Sequence, residues 1–553
     1  MRIVGFSSFG LVGITLLSTA CGSKKSVDIS YDVAPEPWPA AACVAVANGG
    51  TKTVAAPVLV KQLIDTASPY RWMEAWLGAA SVVDLDGDGV KEIIVPRGST
   101  VEAWHLDGTV AWHFDTTQDR IWASPVIADF NGDGKLEVAV AARQKVYLLD
   151  GTGKVMQGFP VTWSVAGEMR TIAAGDLDGD GFPEIIVSPA NGISVTTSIG
   201  GVDDTVMAWK GDGTVFPHFP PIASGVSGCT DENGNSPCYT YWEYDQNLAV
   251  GDLDGDGKAD LVVGHDDAYI SIYHSNGVMW DSNPEFPNKK VAGVRMLLDQ
   301  SLAIQGYGPD NALQAHFTNT PPAIADIDGD GVPEVIYLSS VQNIAQDNRL
   351  LGVALWVMRP DASRLAGWET PFYVAPYLAG LWDYDSTNVV AATNQVTVAE
   401  IDPTKAGPEM IFAGFDGYIH AVAADKTELW ATQYTKSDQV LTGGVVVADL
   451  SGDGVPEIVF NTYSTQQNTS FLFVLDATGK IVQQVSLSGR GAMPVPTIAD
   501  VDGDGQLEIV VSLKDAIEGV ESVDVFTVPG SATNCMPWPT GRANDLRNGY
   551  VKP

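Results

Sequence analysis

Eight near-copies of one acidic phrase, each set between two short apolar runs, predict an all-β fold. The spacing makes it an eight-bladed β-propeller of four-stranded antiparallel blades with calcium-binding loops; seven blades plus an accessory hairpin is the alternative. The phrase starts at residues 84, 129, 176, 252, 326, 400, 449 and 500, in steps of 45, 47, 76, 74, 74, 49 and 51. A step of about 45–50 residues is one blade, and the three longer steps carry insertions. Before the phrase come "SPVIAD", "PPAIAD" and "VPTIAD"; after it come "EIIV", "EVAV", "DLVV" and "EIVV". These short, β-branched runs read as two strands of a hairpin. A second hairpin follows in each unit, with Asp-Gly or Asn-Gly at its tip in "HLDGT", "KGDGT" and "HSNG".

The N-terminus reads as a targeting segment. Arg2 precedes an apolar stretch, residues 3–17, which is too short to span a bilayer, and "LSTAC" closes it at Cys21. Residues 1–21 resemble a bacterial lipoprotein signal, in which Cys21 becomes the lipidated first residue. An ordinary cleaved signal is the alternative. Gly22 after the cysteine is similar to lipoproteins passed to the outer membrane. The resemblance therefore implies an extracytoplasmic chain in the cell envelope, held to the membrane by lipid alone. Residues 22–44, with "APEPWPAAA", read as a flexible tether. Residues 45–530 read as the repeat domain, and residues 531–553 as a tail packing where the ring closes.

The phrase itself has a chemical reading. In "DIDGDGVPE", Asp326, Asp328 and Asp330 converge on one side of a tight loop. Carboxylates about 4–5 Å apart repel strongly unless a cation neutralises them. Hard oxygen donors at alternate positions suit Ca²⁺. Val332, at position 7, can offer only its carbonyl, and Glu334, at position 9, closes the shell. Zinc would need nearby Cys or His, and Mg²⁺ keeps several waters instead of entering an all-protein cage. A metal-free Asp-Gly turn is the bland alternative for one copy.

The other copies weaken that alternative. Blade 1 offers Asp84, Asp86, Asp88, Val90 and Glu92. Blade 2 offers Asp129, Asn131, Asp133, Lys135 and Glu137, and blade 3 Asp176, Asp178, Asp180, Phe182 and Glu184. Blade 4 offers Asp252, Asp254, Asp256, Lys258 and Asp260. Blade 7 offers Asp449, Ser451, Asp453, Val455 and Glu457, and blade 8 Asp500, Asp502, Asp504, Gln506 and Glu508. Every change at position 3 or 9 keeps an oxygen donor, which a turn selected for shape alone does not require. "EIDPTKAGPE" (400–409) lacks the third carboxylate and reads as a blade turn without an ion. An EF-hand is excluded, because its acid stands at position 12 between helices.

Composition narrows the role. Formal net charge is −37, and 26 of the 68 acidic residues lie in the seven full phrases. About seven calcium ions would offset part of that charge. The remainder repels phosphates, so nucleic acid is not an expected partner. The seven histidines are scattered, and HExxH, GxSxG and a phosphate-binding glycine loop are absent from the sequence. His265 beside Asp266 and Asp267 reads as a local hydrogen-bonding turn. The insertions at 224–244 and 360–392 are rich in aromatics, including Trp368, Phe372, Tyr373, Tyr377, Trp382 and Tyr384. These either pack the insertions onto the blades or present stacking surfaces to a sugar or protein.

"GDLDGDGKADLVVG" and "DLDGDGFPEIIV" resemble FG-GAP/VCBS-type repeats, as in the integrin α-subunit propeller. The resemblance covers roughly residues 78–528. It implies calcium in the loop between the first two strands of each blade, held by side chains at positions 1, 3, 5 and 9 and a carbonyl at 7. Three roles remain open: a module that binds a protein or glycan, a polysaccharide lyase on a calcium propeller, and a purely structural envelope component. No catalytic residue is assigned.

Four cysteines besides Cys21 form an even set in an exported chain. Cys229 and Cys238 flank the polar loop "TDENGNSP", so a local bridge is expected. Cys43 and Cys535 then lie just before the first blade and just after the last, where a bridge would staple the ring. Two free thiols are the alternative.

Overall fold

The computed structural model describes residues 43, 50, 52–65, 73–163, 168–190, 206–221, 248–317, 320–348, 351–375, 378, 395–516 and 522–552. Among them, eight antiparallel sheets follow one another in chain order, one per phrase, besides a separate two-stranded pairing of Val440–Leu441 with Tyr463–Ser464. The innermost strands are Ser81–Val83, Val126–Ala128, Glu168–Gly175, Leu248–Gly251, Ala323–Ala325, Thr397–Ala399, Val446–Ala448 and Thr497–Ala499. From the second to the eighth each contacts the next, and the eighth returns to the first. The amide of Ala79, just before the first strand, donates to Ser124 Oγ, just before the second, at 2.8 Å, so the sheets form a closed ring. The second strands of blades 1, 2, 6 and 7 are buried along their whole length because a neighbouring blade covers either side.

Blade 8 closes the ring with chain from both ends. Its first three strands are Thr497–Ala499, Leu507–Ser512 and Val523–Val528, and its outer strand is Val58–Leu63. Val58 pairs with Thr527 and Leu63 with Val523. Four strands per blade holds for blades 1, 2, 6, 7 and 8. In blades 3 and 4 the fourth strand shrinks to the bridges Trp209–Val215 and Tyr273–Met279. Blade 5 instead gains a strand, Leu313–His316, paired with the end of the long strand Glu334–Asn343.

The tail does more than pack at the closure. Residues 535–551 circle the central channel and pair with the exposed edges of the inner strands. The amides of Val447 and Ile498 donate to the carbonyls of Trp538 and Pro539, both at 2.8 Å. Those of Ile127, Ala174, Val250 and Ile324 donate to Asp545, Leu546, Asn548 and Gly549, at 2.8–3.0 Å. All six donors stand two residues before the first aspartate of their phrase. Blade 6 joins through Gln395, whose side chain accepts the Arg542 amide. Blade 1 joins through Arg547, whose buried guanidinium donates to the Ala80 carbonyl at 2.9 Å and to Ser81 Oγ. An unpaired strand edge is a liability, and here backbone carbonyls of one segment satisfy it.

Cys43 and Cys535 form a disulfide across 492 residues of sequence. It anchors the first residue of the tail, whose carbonyl accepts the Asp449 amide at 2.8 Å. Cys21, Cys229 and Cys238 lie outside the described residues. Disulfides persist in oxidising compartments, which agrees with an extracytoplasmic location. The chain-entropy treatment gives on the order of 6 kcal/mol for a loop this long, against measured values of about 2–5 kcal/mol. Reduction, or Cys43→Ala with Cys535→Ala, is therefore expected to lower Tm clearly, as differential scanning calorimetry would record. An unchanged Tm would mean that strand pairing closes the ring unaided.

No helix among the described residues is long and apolar enough to cross a membrane. Of the aromatics in the 360–392 insertion, Trp368 is buried and donates to the Ala424 carbonyl at 2.7 Å. Phe372 and Tyr373 belong to the outer strand of blade 5. Tyr377, Trp382 and Tyr384 lie outside the described residues, as does the whole of 224–244. His265 is fully buried, with Nε2 2.8 Å from Ser271 Oγ.

Candidate metal centres in the blade loops

Each loop is fixed by strand register. The residue before position 1 pairs with position 9: Val83 with Glu92, Ala128 with Glu137, Gly175 with Glu184, Ala325 with Glu334. The same holds for Gly251 with Asp260, Ala448 with Glu457, and Ala499 with Glu508. Position 9 is thus drawn back over the turn it follows. The glycines at positions 4 and 6 adopt left-handed φ, 77° and 85° at Gly329 and Gly331, which a side chain would strain.

The loop's own amides sort the carboxylate oxygens. Position 1 accepts from the glycine amides at positions 4 and 6, over 2.6–3.0 Å. Position 9 accepts from the amide at position 2, over 2.7–3.0 Å, with one oxygen. In the all-aspartate loops, one oxygen at position 3 and one at position 5 accept amides within the turn. The loop amides leave over Oδ2 of positions 3 and 5 and the second oxygen of position 9, although Gln506 Nε2 donates to Asp504 Oδ2 in blade 8 and the Ser275 amide to Asp260 Oδ1 in blade 4. Glu92 Oε1 and Glu334 Oε1 are buried and accept no hydrogen bond.

Burial and neighbouring carboxylates push the position-9 acids upward. Glu137, Glu334 and Glu508 rise to about 7, and Glu184 and Glu457 to about 8. Burial is the larger cause in each, and the nearby aspartates add to it. Glu92 and Asp260 shift the same way. A site that penalises its own negative charge this much is one a cation would relieve. The donor set also fits a hard cation. In blade 1, oxygens of Asp84, Asp86 and Asp88 lie within 4.8 Å of one another. That spacing matches oxygens sharing an ion at about 2.3–2.6 Å. Residues 400–409 keep only part of the arrangement: Glu409 still accepts from Ile401, while Asp402 is committed to Thr404.

One element at these sites is missing from the sequence reading. In blades 1, 3, 4 and 5 the residue after the third strand stands over the loop of its own blade. In blade 1, His105 Nδ1 is 3.3 Å from Glu92 Oε1. In blade 4, His274 Nδ1 is 3.5 Å from Asp254 and 3.6 Å from Asp260. Blades 3 and 5 place Lys210 and Arg359 there. The signal was visible as the first letter of "HLDGT", "KGDGT", "HSNG" and "RPDAS", which reads locally as hairpin-turn chemistry only. In blade 7 the segment before the first blade lies on the loop, and the Lys52 amide donates to Asp453 Oδ2 at 2.9 Å.

Eight sheets in a ring, each opened by an acidic loop, define a repeat propeller. The FG-GAP-like repeat family matches residues 84–140, 129–187 and 449–511, and the FG-GAP repeat family matches residues 246–277. The chain therefore carries FG-GAP-type repeats in these segments. Among curated proteins none matches it. Its distant structural relatives include the V. cholerae biofilm matrix protein Bap1, at 15% identity over 86% of this chain and 92% of that one, with a TM-score of 0.40. The Bacillus licheniformis rhamnogalacturonan lyase PL11 is similar at 16% identity over 90% and 80%, with a TM-score of 0.46. BamB from Moraxella catarrhalis is similar at 13% identity over 81% and 96%, with a TM-score of 0.42.

Proposed function

We propose that this chain is a calcium-loaded extracytoplasmic propeller, held to the cell envelope through a lipid on Cys21, that binds a protein or glycan or serves as a scaffold for one. The observation that carries the reading is the tail that laces the inner strands together. The pocket beside it, lined by Leu77, Ser124, Gln395, Met493 and Gly541 of the tail, has space for about one water molecule. A partner is therefore met on the faces of the ring and on its insertions. The leftover carboxylate oxygens of the loops support calcium as the ion that stabilises those faces. When bound, calcium supplies charge neutralisation there and no chemistry of its own.

The test uses the mature chain on a glycan array and against isolated envelope polysaccharide, with calcium and with chelator. Binding is expected to survive in calcium and to be lost when residues 224–244 are deleted, with Tm unchanged. Binding that persists after deletion of both 224–244 and 360–392 would remove the insertions from the reading. Cys21→Ala is expected to release the chain from the membrane fraction.

A lyase is the second reading, and Lys514 favours it. Burial lowers its ammonium to about 8, within reach of a general base. Yet the side chain is almost wholly enclosed, 3.0 Å from Glu74 Oε2 and packed over the Trp76 ring, in a network with Arg490 and Asp515. That network ties the segment before blade 1 to blades 7 and 8. Ultraviolet absorbance of unsaturated uronate after incubation with acidic polysaccharides decides between the readings. Signal that Lys514→Met abolishes would establish the enzyme.

A further inference from the structure

We propose that in two of the seven loops a side chain of the protein itself holds the place of the ion. Lys210 in blade 3 and Arg359 in blade 5 are resident counter-ions, and these two loops do not take up calcium while loops without such a cation do. The inference rests on the calcium reading above and divides the loops into two kinds.

The two residues occupy the same place in their blades. Each follows the third strand, Met207–Trp209 or Val353–Met358, and its amide closes the outer hairpin on Thr214 or Ser363 at 2.9 Å. From there the side chains reach the oxygens that the loop amides leave over. Lys210 Nζ lies 2.5 Å from Asp178 Oδ2, 3.8 Å from Asp180 Oδ2 and 3.8 Å from Glu184 Oε1. Arg359 Nη2 lies 3.1 Å from Asp328 Oδ2 and 2.8 Å from Asp330 Oδ2, and Nη1 lies 3.6 Å from Glu334 Oε1. In both loops one cationic group faces the three carboxylate oxygens of positions 3, 5 and 9 that the loop amides leave over. A second cation on the same oxygens would meet the first at contact distance, partly screened from water.

The rest of the ring sharpens the contrast. At the equivalent position blades 2 and 7 carry Asp150 and Asp476, each committed to its own turn through the amides of Thr152 and Thr478. The loop phrase stays acidic while the residue above it changes from acid to base. Occupancy is then set by the hairpin tip, not by the phrase.

The experiment counts calcium bound to the mature chain by equilibrium dialysis with radioactive calcium. It compares wild type with Lys210→Met, Arg359→Met, the double variant, Arg359→Lys, and the distant control Lys154→Met. Each Met variant is expected to bind one more ion than wild type, and the double variant two more. Arg359→Lys and Lys154→Met are expected to keep the wild-type count. A second readout guards against misfolding: without calcium the Met variants should melt lower than wild type, and calcium should restore them. If wild type already binds as many ions as the double variant, the two side chains swing aside and the inference is overturned while calcium binding stands. If wild type binds calcium and the Met variants add none, the inference is overturned likewise. If neither wild type nor the double variant binds calcium, the calcium reading itself falls, and the inference with it.

Discussion

Removal of residues 536–553 is expected to leave a chain that no longer unfolds as one cooperative ring. The deletion strips the acceptors from six inner-strand amides and removes Arg547, which donates to the carbonyls of Ala80, Pro125 and Gly541. A buried donor left unpaired costs about 1–3 kcal/mol. Water entering the emptied channel would recover part of this. Even at the low end the loss is comparable with a net stability of about 5–15 kcal/mol. The measurement is a thermal or urea transition with calcium present. A single sharp transition within a few degrees of wild type would show that the lace is dispensable. Arg547→Ala is the milder version. It leaves the backbone pairing intact and should lower Tm while keeping one transition.

The second large effect concerns metal and pH together. Chelation is expected to lower Tm, and the loss should grow with pH. In the metal-free protein Glu137, Glu184, Glu334, Glu457 and Glu508 hold their protons up to about 7–8, while the same groups in the unfolded chain release them near the ordinary carboxylate value of about 4.3. Between those values the folded state binds more protons, so its stability falls as pH rises and is fully reduced above the folded value. Bound calcium would reverse the preference, because it would take the deprotonated acids. Melting curves from pH 5 to pH 9, with chelator and with calcium, should diverge toward the alkaline end. Parallel curves, together with no calcium by elemental analysis, would dismiss the metal. Asp502→Ala should remove one ion and leave the others, since blades interact chiefly with their neighbours.

The sequence made the repeated parts legible and hid the parts that occur once. Asp326, Asp328, Asp330 and Glu334 could be placed on one loop because alternation and strand register act over nine residues. The number of blades followed from spacing, and the Cys43–Cys535 bond from the position of two thiols outside the repeats. The tail was legible only as a tail. "PWPTGRANDLRNGY" has no apolar period, and it is held through its own carbonyls, which leave no mark on residue type. Lys210 and Arg359 were hidden for a different reason. Each lies about 30 residues from the aspartates it meets, and its own surroundings read as an ordinary hairpin. Likewise nothing in "VLVKQL" marks its partner, which stands more than 450 residues later.

The lacing of the channel also dictates a timetable. Residues 538–549 are synthesised after every inner strand they bind, and Val58–Leu63 must await Val523–Val528 at the far end of the sequence. No blade can reach its final set of contacts while the chain is still emerging. Assembly must therefore be late and governed by contacts of very long sequence separation, the kind that fold slowly. Until then eight strand edges stand open to pairing with other chains. A protein built this way needs protection during export more than after it.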